Sequence, residues 1–449
     1  MSIDVAAPPY PADVRLPHPK TSSAHTTPRT DFEFDVAVVG LGYVGLPTAL
    51  ALHAAGAKVL GVDLSEHRLV TIRNGQADLL DSDRDRLVAA MAGNDFTISG
   101  SPTLLKQAAA VIICVPTPID PYSTPDLTLL SSACATAVDV AVPGQLLILT
   151  STTYAGCTRD MLVDPLERRG FTVGGNISVA FSPERIDPGN GGFTHEDVPR
   201  VVGGATEACR RAAQEVLGRY AHTLHSVESL EAAEMTKLLE NTFRAVNIAL
   251  ANEFADACTV LGLPVVDVID AAATKPYGFM PFFPGPGVGG HCIPCDPHYL
   301  LWQLRKEHVS LPMIEQAMSE IAGRPRRVVA RIREVLADNG KPIAGARVLV
   351  SGVAYKPDVA DLRESPALEI LHLLHDQGAH VAYHDRFFDT LTLHGGVELV
   401  NTTDPAGFGA DLVLLHTDHA SIDSSWMSRA PLVLDATYRR TDLPNYVAL

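Results

Sequence analysis

A glycine-rich turn between a strand and a helix is the feature that most constrains the fold of this chain. The segment FDVAVVGLGYVGLP places a β-branched strand directly before Gly40, Gly42 and Gly45, and TALALHAAG continues after it at helical spacing. A second strand, AKVLGVD, ends in Asp63, about twenty residues further along. A GxGxxG flanked by this strand, helix and acid predicts a dinucleotide-binding domain built on a parallel sheet.

The same residues predict the cofactor. Glycines allow the backbone to approach a pyrophosphate at a helix N-terminus, and Asp63 can accept both ribose hydroxyls while repelling a 2′-phosphate, which favours NAD over NADP. Two later strand-like runs, AAVIICVPTP and QLLILTST, end in small polar residues at the carboxyl edge of the sheet. The predicted cofactor site comprises Gly40, Gly42, Tyr43, Val44, Gly45, Asp63, Arg68, Pro116, Thr117 and Thr152.

The second half of the chain repeats the order of predicted secondary structure found in the first half. The segment LHAAGAKVLGVD near the start is echoed by LHDQGAHVAYHD near the end, which keeps the helix, glycine, strand and acid but lacks the three-glycine turn. A long stretch with few helix breakers lies between and stops at Gly262. We therefore predict an α/β protein with two doubly wound Rossmann-like domains joined by a helical spine. The expected parts are a disordered tail (1–31), an NAD domain (32–226), a central helical domain (227–330) and a second Rossmann-like domain (331–449), which should bind something other than the dinucleotide.

Bulk composition narrows the class of protein. The chain has 449 residues, 46% of them apolar, which fits a globular protein of two or three domains. No apolar run reaches the length of about eighteen residues that spans a bilayer, so no membrane association is expected. The net charge of −17 argues against a nucleic-acid partner. Seven scattered cysteines and the absence of a signal-peptide pattern favour a reduced, cytoplasmic location.

Six ordered motifs together resemble the NAD-dependent nucleotide-sugar 6-dehydrogenases of the UDP-glucose/GDP-mannose dehydrogenase family. They are GLGYVGLP, CVPTP, SPER, EMTKLLENTFRAVNIALANE, GPGVGGHCIP followed by Asp-Pro, and AYKPDVADLRESPA. The resemblance covers residues from about 34 to 440. It implies oxidation of a primary alcohol to a carboxylate with two NAD, a helical spine that forms a homodimer or larger homo-oligomer, and a C-terminal domain (331–449) that binds a UDP-sugar substrate.

The segment GVGGHCIPCDP has three possible interpretations: a metal site, a redox pair or a covalent catalyst. A zinc site would need His291, Cys292, Cys295 and His298, which are crowded into one short segment, whereas structural zinc sites usually draw on two separated clusters. A thioredoxin-like pair would follow the first strand of a βαβ unit, and this segment does not. Cys292 fits a covalent role better, because a thiol can hold the aldehyde as a thiohemiacetal whose oxidation gives a thioester. We therefore predict no metal site, and Cys295 looks incidental.

Two helices are expected to supply the polar groups around that thiol. DPHYLLWQL predicts a helix with Asp296 at its N-cap, so its positive end would stabilise the Cys292 thiolate. The resemblance adds a proton-handling role for Asp296. Lys237, Asn241 and Arg244 are spaced to share one helix face. By resemblance, Lys237 stabilises the alkoxide and oxyanion and Asn241 positions a water, while Arg244 is a substrate or structural contact.

Further residues complete the predicted site by resemblance and chemistry. Glu184 in SPER could activate the water that attacks the thioester, and Thr117 would help to orient it. Lys356 and Arg363 are cations at a strand edge and a helix start, suited to a diphosphate. The predicted catalytic residues are Cys292, Lys237, Asn241, Asp296, Glu184 and Thr117. The predicted substrate contacts are Glu184, Arg185, Lys237, Asn241, Arg244, Gly289, Lys356 and Arg363.

The substrate is predicted from the glutamate loop. SPERIDPGN looks closer to dehydrogenases of N-acetylated UDP-hexosamines than to UDP-glucose dehydrogenases, whose loop more often contains PEF. Arg185 and the polar segment 187–192 could pair an acetamido group. We expect UDP-N-acetylglucosamine, with UDP-N-acetylmannosamine the nearest rival and UDP-glucose a poor substrate. A two-electron β-hydroxyacid dehydrogenase and a catalytically inactive nucleotide-sugar sensor are the alternatives.

Overall fold

The computed structural model describes residues 30–449 apart from 80, 186–193, 195, 291, 421 and 441. The predicted tail, except for residues 30 and 31, lies outside the described residues, as do the segment 187–192 and His291. The strands are β1 (Phe34–Val39), β2 (Val59–Val62), β3 (Phe96–Ser99), β4 (Ala108–Ile113), β5 (Leu146–Leu149), β6 (Ser178–Phe181), β7 (Arg200–Gly204), β8 (Leu224–Ser226), β9 (Arg347–Ser351), β10 (His380–His384), β11 (Thr390–Thr392), β12 (Glu398–Val400), β13 (Leu412–Leu415), β14 (Val433–Asp435) and β15 (Tyr446–Ala448). The helices are α1 (Gly45–Ala54), α2 (Glu66–Arg73), α3 (Asp81–Ala92), α4 (Thr128–Val140), α5 (Asp164–Arg168), α6 (Glu207–Leu217), α7 (Leu230–Leu261), α8 (Val265–Ala273), α9 (Asp296–Arg305), α10 (Pro312–Asp338) and α11 (Pro366–Asp376).

The first sheet has eight strands in the order β3-β2-β1-β4-β5-β6-β7-β8. All neighbouring pairs are parallel except β6 and β7. Side chains alternate between two buried faces, so Val36 and Val38 pack into one core and Ala37 into the other. The strand order reverses between β1 and β4, which places the ligand crevice of such a sheet at the carboxyl ends of these two strands.

The second sheet is parallel throughout, with the order β10-β9-β13-β14-β15. The order reverses here between β9 and β13. Between the two sheets runs α7, whose first residue follows the capping hydroxyl of Ser229 and whose end is closed by Gly262 at φ 69°. The prediction of two doubly wound α/β domains joined by a long helix is confirmed. Among the described residues, no helix combines the length and apolarity needed to span a bilayer.

The internal echo in the sequence is also an echo in hydrogen bonding. Asp63, after β2, accepts a bond of 2.8 Å from the backbone N–H of Leu41 in the turn after β1. Asp385, after β10, accepts a bond of 2.7 Å from the backbone N–H of Val353 in the turn after β9. In each domain, the aspartate that follows the second strand therefore fixes the turn after the first strand by accepting a hydrogen bond from its backbone.

Candidate active site

The glycine-rich turn after β1 fits a dinucleotide. Gly40 has φ +86°, and a Cβ there would lie 2.4 Å from the carbonyl oxygen of Cys114. A Cβ on Gly45 would lie 1.8 Å from the carbonyl oxygen of Gly40, whereas one on Gly42 would have nothing within 4 Å. Two glycines therefore allow the tight turn and the close packing, and the third faces open space where a pyrophosphate can approach the N-terminus of α1.

Two side chains hold the turn from the sides. The guanidinium Nε of Arg68 donates to the carbonyl oxygen of Leu41 at 2.7 Å. The guanidinium of Arg363, from the second domain, lies 4.3 Å from the centre of the Tyr43 ring. The guanidinium of Arg363 also donates to Asp361 at 2.6 Å, and its contact with Tyr43 places it beside the dinucleotide turn; its role at the substrate diphosphate stays a prediction.

The carboxyl ends of β4 and β5 meet the start of α9. The hydroxyl of the buried Tyr299 donates to the carbonyl oxygen of Thr117 at 3.2 Å. Thr152 hydrogen-bonds to the carboxylate of Asp296. Of the other predicted cofactor residues, Pro116 is exposed in the same loop, and Val44, the N-cap residue of α1, is partly buried against the core of the first domain. Thr117, after β4, and Thr152, after β5, therefore both contact the first turn of α9, which contains Asp296.

Asp296 is buried between two helices, with 2% of its surface exposed. It is the first residue of α9 and not its N-cap, since Cys295 occupies that position and makes no side-chain capping bond. The N-cap prediction is therefore wrong: the carboxylate accepts a hydrogen bond from the amide of Asn241 on α7 and is attracted by the buried Lys237 one turn earlier. Burial raises the pKa of Asp296 to about 6, because desolvation outweighs the effects of Lys237, Asn241 and Thr152.

Cys292 and Cys295 have opposite environments. Cys292 is exposed, and its carbonyl oxygen accepts the backbone N–H groups of Cys295 at 3.1 Å and Asp296 at 2.8 Å. It thus stands at the positive end of α9, a position that favours a thiolate. Cys295 is buried, and desolvation raises the pKa of its thiol to about 12. The described residues contain no cluster of three His, Cys, Asp or Glu side chains that could hold a metal ion, although His291 lies outside them.

The cysteine loop packs directly against the second domain. A Cβ on Gly289 would lie 2.5 Å from the Cβ of Tyr355 and 2.8 Å from the carbonyl oxygen of Glu364. The backbone N–H of Gly290 donates to the carbonyl oxygen of Arg363 at 2.9 Å. Gly289 is needed for this close approach, which brings the loop of Cys292 against the segment that carries Lys356.

The glutamate of SPER is held by a buried cation. Arg200, 2% exposed, donates from Nη1 to Glu184 Oε2 at 2.9 Å. Arg185 was expected to reach the sugar, but its guanidinium donates to Glu240 on α7 at 2.6 Å and to the carbonyl oxygen of Pro199 at 2.7 Å. These contacts support a structural role for Arg185, which fixes the glutamate loop against α7.

Two contributors to this site were not identified from the sequence. One is Arg200, since nothing in its strand-like surroundings indicates a buried ion pair. The other is Glu234, which is buried one turn before Lys237 and accepts hydrogen bonds from the backbone of Gly156 and Thr158. Burial raises the pKa of Glu234 to about 7. The spacing of three between Glu234 and Lys237 was a usable signal, because it places both side chains on one face of α7. Arg244, further along α7, is exposed.

Comparison with known proteins identifies each part of the chain. Models of the UDP-glucose/GDP-mannose dehydrogenase family match the NAD binding domain at residues 34–221, the central domain at 231–320 and the UDP binding domain at 349–440. An NDP-N-acetyl-D-galactosaminuronic acid dehydrogenase of Ralstonia solanacearum is 33% identical over 86% of this chain and 90% of its own length. The UDP-N-acetyl-D-mannosamine dehydrogenase of Escherichia coli strain K12 is 35% identical over 76% of this chain and 82% of its own.

Solved structures agree with the sequence comparisons. The UDP-D-ManNAc dehydrogenase of Pyrococcus horikoshii superposes with a TM-score of 0.83 at 30% identity, covering 92% of this chain and 98% of that one. The match to the NAD binding domain confirms NAD as the cofactor, in agreement with the shape of the glycine turn. The chain therefore belongs to the UDP-glucose/GDP-mannose dehydrogenase family and is an NAD-dependent nucleotide-sugar dehydrogenase.

Proposed function

We propose that this enzyme oxidises the 6-hydroxyl of a UDP-N-acetylhexosamine to a carboxylate through a covalent cysteine intermediate. One UDP-sugar, two NAD⁺ and one water would give one UDP-uronate, two NADH and three protons. The observation that carries this proposal is the juxtaposition at α9: an exposed Cys292 precedes the helix, and the first helical residue, Asp296, joins Asn241 and Lys237. A two-electron oxidation would not require the thiol.

The first oxidation needs a base and a stabilised alkoxide. When bound, NAD accepts the hydride in each of the two oxidations. Asp296 and Lys237 form a buried acid–base pair that can take the hydroxyl proton, and the ammonium of Lys237 stabilises the developing alkoxide. Asn241 orients Asp296 through its amide. The product of this step is an aldehyde that remains beside Cys292.

The second oxidation uses the thiol. The Cys292 thiolate adds to the aldehyde carbon, forming a C–S bond and an alkoxide that Lys237 stabilises. Loss of the second hydride converts this thiohemiacetal to a thioester. Water then attacks the thioester carbon, the C–S bond breaks, and the thiolate leaves. We assign Glu184, whose Oε2 is held by Arg200 at 2.9 Å, as the carboxylate that accepts a proton from that water.

The substrate class is proposed from the sugar chemistry of similar proteins and the SPER motif. The relatives described above are named for N-acetylated sugar nucleotides, which agrees with the resemblance of SPERIDPGN. Within this class we retain UDP-N-acetylglucosamine as the proposed substrate and UDP-N-acetylmannosamine as its rival. Arg185 is not proposed as the acetamido contact, since its guanidinium donates hydrogen bonds to the carboxylate of Glu240 and the carbonyl oxygen of Pro199. We assign Lys356 to the UDP diphosphate and place the enzyme in the cytoplasm, where its thiols would stay reduced.

The test is the NADH yield and the substrate preference of the purified enzyme. We expect two NADH per sugar, and the highest kcat/KM with UDP-N-acetylglucosamine among a panel that includes UDP-N-acetylmannosamine, UDP-glucose and GDP-mannose. A site that pairs the acetamido group would leave a polar group unsatisfied with UDP-glucose, which costs more than a missing methylene. A yield of one NADH would indicate a two-electron dehydrogenase, and a yield of zero a sensor. A preference for UDP-glucose would refute the substrate class.

A further inference from the structure

We infer that two buried side chains, Asp385 and His419, each hold one end of the loop 353–358 by a hydrogen bond to its backbone and so fix the conformation that presents Lys356 to the nucleotide, which sets the affinity for the UDP moiety. The inference rests on the proposed role of Lys356 at the diphosphate. It concerns positioning: neither Asp385 nor His419 would touch the substrate. Both residues lie beyond the carboxyl ends of the two strands that flank β9, Asp385 after β10 and His419 after β13.

Asp385 cannot serve a ribose as Asp63 is predicted to do. It is 1% exposed, and both of its oxygens are occupied within the protein. Oδ2 accepts the backbone N–H of Val353 at 2.7 Å and lies 3.1 Å from Nε2 of His419, while Oδ1 accepts the backbone N–H of Phe387 at 2.8 Å. Asp63 occupies the matching place in the first domain and also accepts backbone N–H groups with both oxygens, from Leu41 and Ser65 at 2.8 Å each, but it is only half-buried, so burial is the difference between the two acids. The second domain has kept the acid at this position and uses it to hold its own turn.

The tautomer of His419 follows from its partners. Its Nδ1 lies 2.9 Å from the backbone nitrogen of Asp358, which can only donate. Nδ1 must therefore be the unprotonated acceptor, and Nε2 carries the proton and donates it to Asp385. The ring is buried and lies edge-on to Phe387, with centroids 5.2 Å apart. A buried imidazole with both nitrogens paired in this way defines one geometry for the segments it joins.

The loop is held at both ends, and Lys356 lies between. Val353 is bound by Asp385 and Asp358 by His419. Asp358 adopts φ +60°, a left-handed conformation that is strained for a non-glycine residue and therefore needs support from outside the loop. The hydrogen bond from its N–H to His419 supplies that support.

The location makes the loop geometry relevant to a ligand. The strand order reverses between β9 and β13, and in open α/β sheets ligands bind at such a reversal, outside the carboxyl ends of the strands. The loop follows β9 and the segment of His419 follows β13. Thr417, two residues before His419, also donates from its hydroxyl to the carbonyl oxygen of Ala354 at 2.6 Å. The segment after β13 thus forms two hydrogen bonds with the loop 353–358, at the edge of the second sheet where a nucleotide is expected.

Two substitutions at one position separate the two hydrogen bonds. In His419→Asn, the short amide can place its oxygen near the position of Nδ1 and accept from Asp358. In His419→Gln, the longer amide can reach the position of Nε2 and donate to Asp385, but it leaves the N–H of Asp358 without a partner. Both variants replace a buried ring with an amide, so the loss of ring packing is common to both, and a difference between them reports on the hydrogen bond that each one keeps.

The measurements are the Kd for UDP by calorimetry, the KM values for UDP-sugar and NAD, kcat and Tm, all on the full-length enzyme. We expect His419→Gln to raise the Kd for UDP and the KM for UDP-sugar by about tenfold, the order expected for one lost buried hydrogen bond, with kcat and the KM for NAD within about twofold. His419→Asn should stay within about threefold of the unmodified enzyme in UDP binding. Equal loss of UDP affinity in both variants, or a lowered Tm with an unchanged Kd, would overturn the inference.

Two further measurements complete the test. Lys356→Ala must weaken UDP binding; if it does not, the assignment of Lys356 to the diphosphate fails, and this result is distinct from a failure of the His419 variants alone. Hydrogen exchange at the amide of Asp358 uses the unmodified protein and does not depend on any variant folding. We expect this amide to be protected, and exchange at the rate of an exposed amide would contradict the bond to His419.

Discussion

At the scale of single residues, burial distinguishes chemically identical side chains. Cys292 and Cys295 are separated by one turn of chain, yet the first is exposed at the positive end of α9 and the second is buried, with the pKa of its thiol raised to about 12. A thiolate is the reactive form of cysteine, so only the first environment supports nucleophilic chemistry. The sequence motif contains both cysteines and does not reveal this difference.

The pair of cysteines gives the first prediction. Cys292→Ala should abolish formation of the uronate while leaving NAD binding intact, because only the second oxidation needs the thiol, and Cys292→Ser should be severely slowed. Cys295→Ser is the matched control three residues away and should remain active. The measurements are uronate formation by chromatography and NAD binding by fluorescence. An inactive Cys295→Ser enzyme, or stoichiometric zinc in the purified protein, would restore the redox or metal interpretation.

At the scale of elements, the site is the crossing of two helices. Lys237 and Asn241 lie in the N-terminal half of α7, and Asp296 is the first residue of α9. These side chains come from distant parts of the sequence and meet because both helices are anchored to the carboxyl edge of the first sheet. Glu234 anchors α7 through Gly156 and Thr158. The catalytic geometry thus depends on where each helix begins and how it is held.

This helix crossing predicts a pH dependence. The pKa of Asp296 is raised from 3.8 to about 6, so the carboxylate is protonated below about pH 6 and can then neither accept a proton nor pair with Lys237. We expect kcat/KM to fall as the pH drops through about 6. Asp296→Asn should lower kcat strongly and remove this acid limb from the pH profile. Thr152→Val, which removes one hydrogen bond to the carboxylate, should raise the midpoint of the limb. An unchanged limb in Asp296→Asn would refute the assignment.

The elements that sequence could predict are those with a local pattern. The strand before Gly40, the helix that ends at Gly262 and the repeated strand–acid unit all follow from residue spacing, and the structure contains each of them. The partners of Asp296 and Arg185 could not be predicted from local patterns. Asp296 is buried against α7 and is not the N-cap of α9, and the guanidinium of Arg185 pairs with Glu240; both contacts join segments that are distant in sequence.

The antiparallel β6–β7 pair and the long α10 were also not predicted, since neither carries a turn or cap signal strong enough to place it. The pairing of Arg200 with Glu184 lies beyond local patterns for the same reason as the partners of Asp296. A buried ion pair depends on contacts between segments that are distant in sequence.

At the scale of the whole molecule, α7 leaves an apolar stripe uncovered. Leu239, Leu250 and Leu261 recur every eleven residues, about three turns, and Phe243 and Phe254 lie one turn beyond the first two leucines. All five side chains are exposed in the single chain. An exposed apolar stripe of this length marks an interaction surface, and a second copy of the same helix would cover it in a self-complementary way. We therefore propose that the enzyme is a homodimer that pairs through α7.

The stripe gives the last prediction, which compares two leucines of similar exposure. Leu250 lies in the stripe and is 48% exposed, whereas Leu129 lies on α4 in the first domain and is 52% exposed. Leu250→Glu would bury a carboxylate in the interface and should convert the dimer to monomer, because an unpaired buried charge costs far more than the lost apolar contact. Leu129→Glu places the same charge outside the stripe and should leave the dimer intact. Light scattering coupled to size-exclusion chromatography measures both masses at equal concentration. A Leu250→Glu protein that keeps the mass of the unmodified enzyme would show that the copies associate through another surface.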